Sequence, residues 1–140
     1  MNDEKKLHLT FIQDVITRMN NNSFKLKGWC ITVLAAVLAV YTSTKNEYFI
    51  LIAILPTLTF WFLDAYYLLQ ERKFTGIYND VAGLSENPKT TKIFQMNPTL
   101  YSKADNKKYS YLNVLKSRTI LFLYLSIIFF CISLYLYLHL

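Results

Sequence analysis

Histidine, glycine and cysteine are all scarce in this 140-residue chain, and each shortage removes a class of function. The two histidines are His8 and His139. A Ser–His or Cys–His nucleophile pair needs its base within hydrogen-bond reach, and these two fall on opposite sides of the apolar segments described below. Gly28, Gly76 and Gly83 are the only glycines, too few and too dispersed for a loop that cradles phosphate. Cys30 and Cys131 both sit inside apolar runs, where disulfide chemistry has little access. No CxxC, HxxxH or HExxH spacing occurs, so no metal centre is expected. The expectation is a non-enzyme without cofactor or metal.

What the chain does have is apolar length. Hydrophobic residues make up 54% and mean hydropathy is +0.24, although 17% of residues are charged. The apolar residues concentrate in Gly28–Thr44, Tyr48–Gln70 and Thr119–Leu140, segments of 17, 23 and 22 residues. As helices these measure about 26, 34 and 33 Å at roughly 1.5 Å per residue. A bilayer core of about 30 Å accommodates all three, the first only just. Backbone in lipid must satisfy its own hydrogen bonds, and segments without an alternating polar face suit helices, not a barrel. The fold expected is therefore an all-α integral membrane protein. It has three transmembrane helices, an N-terminal amphipathic helix and a small cytoplasmic loop region. Its parts are residues 1–27 (amphipathic segment), 28–70 (helical hairpin), 71–118 (basic loop) and 119–140 (last helix).

Charge sets the orientation. Five of the 15 Lys and Arg residues precede the first span and nine lie between the second and third, against Lys45 alone between the first two. Cationic loops stay in the cytoplasm. This places the N-terminus and Arg72–Arg118 inside, with Thr42–Glu47 and the C-terminus outside. A cleaved signal peptide has a short basic start. Here 27 residues precede the first apolar core and a second span follows at once, which argues against cleavage.

Along the chain, Leu7, Phe11, Ile12, Val15, Ile16 and Met19 recur at helical spacing over residues 5–19. Such a helix lies either on the inner membrane surface or against the cytoplasmic loop of its own or a neighbouring chain. Asn20–Asn22 are expected to break it, with Ser23 as N-cap of the next helix. In the first span Gly28, Thr32 and Ala36, and the pair Ala35 and Ala39, repeat every four residues. That is a packing face either for the second span or for another subunit. Pro56 should kink the second span by removing a backbone hydrogen bond. Asp64 lies about four residues from the cytoplasmic end of that span, and a fully inserted carboxylate costs on the order of 2–3 kcal/mol. It should therefore face a partner or water, with Lys27, Arg72 and Arg18 as the candidate cations. The pair is either a gate on an ion path or a structural anchor, and the shallow depth favours the anchor.

After Gln70 the helix should continue to Gly83, a C-terminal stop. A loop follows, with a short extended piece at Thr91–Met96, a turn at Asn97-Pro98, and Tyr109–Lys116 running directly into the last span. Lys103, Lys107, Lys108, Tyr109, Tyr111, Lys116 and Arg118 cluster before that span. They suit anionic lipid headgroups, or an anionic small molecule with Tyr stacking a base and Lys or Arg holding phosphate. Nucleic acid has charge in its favour but no motif, and is not expected.

Two stretches resemble a family of small bacterial membrane proteins. One is Arg18-Met19 with Asn22-Ser23-Phe24-Lys25-Leu26-Lys27-Gly28-Trp29. The other runs from Phe60 through Asp64-Ala65-Tyr66-Tyr67 to Glu71-Arg72-Lys73-Phe74, followed by Tyr78. Lys116-Ser117-Arg118-Thr119 fits too, with Arg118 where Lys is expected. The resemblance implies a bacterial inner-membrane protein, and by analogy an effector in phage defence or stress. The function expected is an oligomeric membrane effector, pore-forming or membrane-disrupting, with a basic cytoplasmic sensing surface. Its partners would be the bilayer, copies of itself, and a soluble signalling protein or anionic small molecule. A non-enzymatic anchor for a soluble partner and a holin-like lysis protein are the alternatives.

Overall fold

A computed structural model describes all 140 residues as helices and loops, with no strand. Five α-helices follow in order: α1 (Asp3–Thr44), α2 (Tyr48–Ile52), α3 (Ile54–Ala82), α4 (Tyr111–Leu115) and α5 (Arg118–His139). Single 3₁₀ turns occupy Pro98–Leu100 and Lys107–Tyr109. Three helical stretches are long and apolar enough to cross a membrane: Asp3–Thr44, Tyr48–Ala82 and Arg118–His139. The chain divides into two compact units. A polar unit comprises Met1–Ser23 and Tyr66–Val114, and a span unit comprises Phe24–Ala65 and Leu115–Leu140.

Helix α1 runs unbroken through Asn20–Asn22, contrary to the break expected there, so Ser23 is an interior residue and not a cap. Asn in a helix costs about 0.6 kcal/mol relative to Ala. Three such penalties do not stop a helix whose flanks are packed, and Ser23 and Leu26 are both buried. Helix α3, by contrast, starts only after an interruption at Ala53. Pro56 has no N–H for the Ile52 carbonyl and its ring crowds that same carbonyl, so the ladder opens one turn earlier in sequence. Thr57 mends the junction, giving both its N–H and its hydroxyl to the Ala53 carbonyl.

The polar unit forms its core where the apolar stripe of α1 meets the far end of α3. Ile12, Ile77, Tyr101 and Tyr109 are buried together, with Ile16, Phe74, Tyr78, Val81, Met96 and Leu100 packed around them. Ile12 and Ile16 thus pack on the chain's own loop, one of the placements open for residues 5–19. Leu7 and Phe11 of the same stripe stay exposed. Helix α3 ends at Gly83, whose φ of +79° suits a left-handed stop. The Leu84 and Gly83 N–H groups return to the Asn79 and Asp80 carbonyls, the double closure of a Schellman motif.

The following loop is held by side chains. Asp80 Oδ2 accepts the N–H groups of Lys89 (2.8 Å) and Thr90 (3.1 Å) and the Tyr101 hydroxyl, which also meets Thr90 Oγ1 at 2.8 Å. Burial, and then the bond to Asp80, push the Tyr101 phenol far above its ordinary range, so it remains a donor. Asn97 and Asn106 cap the two 3₁₀ turns through their side chains. No extended piece forms at Thr91–Met96: Lys92–Gln95 is a turn closed by Gln95 N–H to the Lys92 carbonyl. Nor does Tyr109–Lys116 run straight into the last helix. Helix α4 ends at Leu115, and Ser117 is extended (φ −60°, ψ 136°) before α5 begins.

Gly76 is where the loop lies closest to α3. A Cβ there would overlap the Tyr109 hydroxyl and meet the Tyr101 ring at 3.0 Å. Ala is the better helix former by about 1 kcal/mol, but overpacking a rigid aromatic contact costs roughly 1–3 kcal/mol. Gly76→Ala is therefore expected to destabilise the full chain by about 1 kcal/mol in thermal unfolding. Adding Tyr109→Phe, which removes the overlapping atom, should restore most of the loss. Unchanged or raised stability in the single variant would contradict this packing.

Candidate functional site

The span unit buries one carboxylate, and each of its three long helices contributes to holding it. Asp64 on α3 has no solvent exposure. Its Oδ2 accepts Lys27 Nζ of α1 at 2.6 Å and the Tyr124 hydroxyl of α5 at 2.9 Å. The Lys27 side chain is 25% exposed, while the carboxylate is wholly buried. Tyr124 is fully buried and stacked on Trp61 at 6.3 Å and 12°, and Trp61 in turn gives its Nε1–H to the Leu115 carbonyl. The hydroxyl is thus aimed by a ring packed between helices. Cys30, Cys131, Thr57 and Ala65 are buried in the same unit.

The helical register explains the meeting. Lys27 lies one turn from Cys30, and Asp64 one residue from Ala65 and two turns from Thr57; all of these are inward positions. A carboxylate here makes charge-assisted and polar bonds in an otherwise apolar surround, which are stronger than their surface counterparts. What such an arrangement offers is a cross-link among three helices that can be opened by changing one charge. No cluster of three metal-binding side chains occurs anywhere in the chain.

The other expected site residues are placed as follows. Arg72 is engaged elsewhere: its Nη1 donates to the Lys108 carbonyl and to Asn113 Oδ1, both at 3.0 Å, in the polar unit. One guanidinium nitrogen serves two acceptors, one in the loop and one on α4, and Lys27 takes the carboxylate. Arg18 is exposed. Gly28, Thr32, Ala35, Ala36 and Ala39 are all exposed in the single chain, so the second span does not cover that face. Of the basic cluster, Lys103, Lys107 and Lys108 are exposed and Tyr111 is half-buried. Tyr109 is buried, with Lys108 Nζ 5.1 Å from its ring centre; it packs over Gly76 and is not open to stack a base. Lys116 and Arg118 fall in the span unit, not with the other lysines.

Sequence reasoning missed the role of Tyr124 and the second ionisable contact of this unit. His139 Nδ1 lies 2.7 Å from Glu47 Oε1, with Tyr135 stacked on the imidazole at 5.4 Å. A tyrosine in an apolar helix reads as an interfacial ring, and only its register against Asp64 would have marked it. Comparison with protein-family models, curated proteins and solved structures finds no match for this chain.

Proposed function

We infer that this chain is a small oligomeric effector of a bacterial inner membrane, permeabilising the bilayer when its spans rearrange. One observation carries the reading: Asp64, wholly buried, is held by Lys27 and Tyr124 from the two other long helices. A buried ion pair is weak support for stability compared with apolar packing of the same volume. Its use is to fix one arrangement of helices and to release it when a charge is lost or its partner changes. Asp64 thus locks the resting state and does not line an open path. Three helices cannot enclose a water-filled pore, so assembly with further copies is part of the proposal. The exposed small-residue face of α1 supports it, because close backbone approach is how helices associate in lipid. The exposed lysines at 103, 107 and 108 suit an anionic headgroup or an anionic signal.

The experiment is induction of the wild-type chain and of Asp64→Asn in bacteria while membrane potential is followed with a dye. Asn keeps an acceptor for Tyr124 and removes the charge, so Asp64→Asn is expected to depolarise cells without any signal. An unchanged potential for both proteins under every inducing condition would remove the effector reading. A stoichiometric soluble partner retained in detergent, with the potential unchanged, would replace it with the anchor reading.

A further inference from the structure

In the polar unit, a single buried imidazole clasps a strained turn. His8 on α1 has no solvent exposure. Its Nδ1 accepts the Phe94 N–H at 3.2 Å, and its Nε2 lies 3.0 Å from the Gln95 carbonyl. An amide N–H can only donate and a carbonyl can only accept, so Nδ1 must carry a lone pair and Nε2 the proton. The ring is neutral, in one tautomer.

The turn it holds is Lys92–Gln95, with Phe94 at φ +60°. Among its two central residues only Phe94 has a positive φ, the type II pattern, in which this position normally takes Gly or Asn. A bulky aromatic in the left-handed region persists only where its surroundings over-determine it. Here the surroundings are the His8 bonds and the ring contacts of Phe94 with His8 (5.7 Å) and Phe11 (6.1 Å). The clasp keeps Ile93 and Phe94 half exposed beside the exposed Leu7 and Phe11.

We propose that His8 is a proton-sensitive latch: neutral, it fixes the Ile93–Phe94 turn against α1, and protonated, it releases the turn. A second proton on Nδ1 would set one N–H against another and remove the only acceptor that orients Phe94. The charged groups facing the same cavity are Lys5 on α1, Asp80 on α3 and Lys92 on the loop itself. They set two ammonium groups against one carboxylate, and Asp80 Oδ2 is already engaged by Lys89, Thr90 and Tyr101. The cations of this cavity thus outnumber its one carboxylate around a charged ring. The inference is independent of the membrane activity proposed above, since it concerns the polar unit alone.

The test is amide hydrogen exchange on the full chain in detergent micelles at about pH 7.5 and about pH 5.5, either side of the ordinary imidazole range. After correction for intrinsic exchange chemistry, the wild-type amides of Phe94 and Gln95 are expected to lose about tenfold protection on acidification, as for one lost buried hydrogen bond. His8→Gln cannot titrate and should show no such change; His139, the other histidine, is retained in that variant. Equal wild-type protection at both pH values, or an acid response in His8→Gln as large as in wild type, would overturn the latch. Should His8→Gln not fold, Phe94→Gly serves instead: glycine holds a positive φ without a clasp, so its acid response should be smaller, and a response equal to wild type overturns the proposal.

Discussion

Replacing Lys27 by methionine is expected to destabilise the full chain by roughly 3–5 kcal/mol, because it takes the cation from a buried carboxylate. Asp64→Asn should cost far less, about 1 kcal/mol, close to one net hydrogen bond. The asymmetry follows from exposure. The Lys27 side chain is 25% exposed and Asp64 not at all, so an amine that loses the carboxylate can turn to water or headgroups while a carboxylate that loses its cation cannot. Tyr124 would still find an acceptor in the amide oxygen that Asp64→Asn introduces. The double variant Lys27→Met with Asp64→Leu, which removes both charges, should recover most of what Lys27→Met loses. Thermal unfolding of wild type and the three variants in one detergent compares these losses directly. Equal losses for the two single variants, or no recovery in the double, would mean that the pair seen at 2.6 Å does not govern the packing of the span unit.

The three apolar helices were legible from hydropathy and length alone, because nothing in apolar runs of 17 to 23 residues competes with that signal. Lys27 and Asp64 could be named as a candidate pair for the same reason: a carboxylate in an apolar run demands a cation, and few were in range. Arg72 was a candidate too, and far nearer along the chain, and what separated the two was tertiary. Its Nη1 is taken by the Lys108 carbonyl and Asn113, residues 36 and 41 positions away. The loop after Gly83 was the least readable part. Its structure comes from side-chain bonds to Asp80, Arg72 and His8, which leave no periodicity in sequence. The helix through Asn20–Asn22 was missed because local propensity there is outweighed by packing on either side.

Asp80→Ala is expected to be the most damaging substitution in the polar unit, at about 3 kcal/mol, since charge-assisted bonds contribute roughly 1.5–3 kcal/mol each and the one from the Lys89 N–H faces water. Lys89 is exposed and its amide can take a water in place of the carboxylate. Thr90 and Tyr101 are each 4% exposed, so the Thr90 N–H is left without an acceptor and the Tyr101 hydroxyl keeps only Thr90 Oγ1. Asp80→Asn retains an acceptor and should cost about a third as much. Tyr101→Phe should cost about 1 kcal/mol, and combined with Asp80→Ala it should add little, because both act on one shared bond. The loop from Gly83 to Ser110 has no helix longer than a single turn, so its order depends on these few anchors. Loss of Asp80 should therefore appear as loss of amide protection across residues 89–101 while Ile12 and Ile77 stay protected. Protection lost equally in α1 and α3 would mean that the loop and the helices of this unit unfold together, and that Asp80 anchors the whole unit and not the loop.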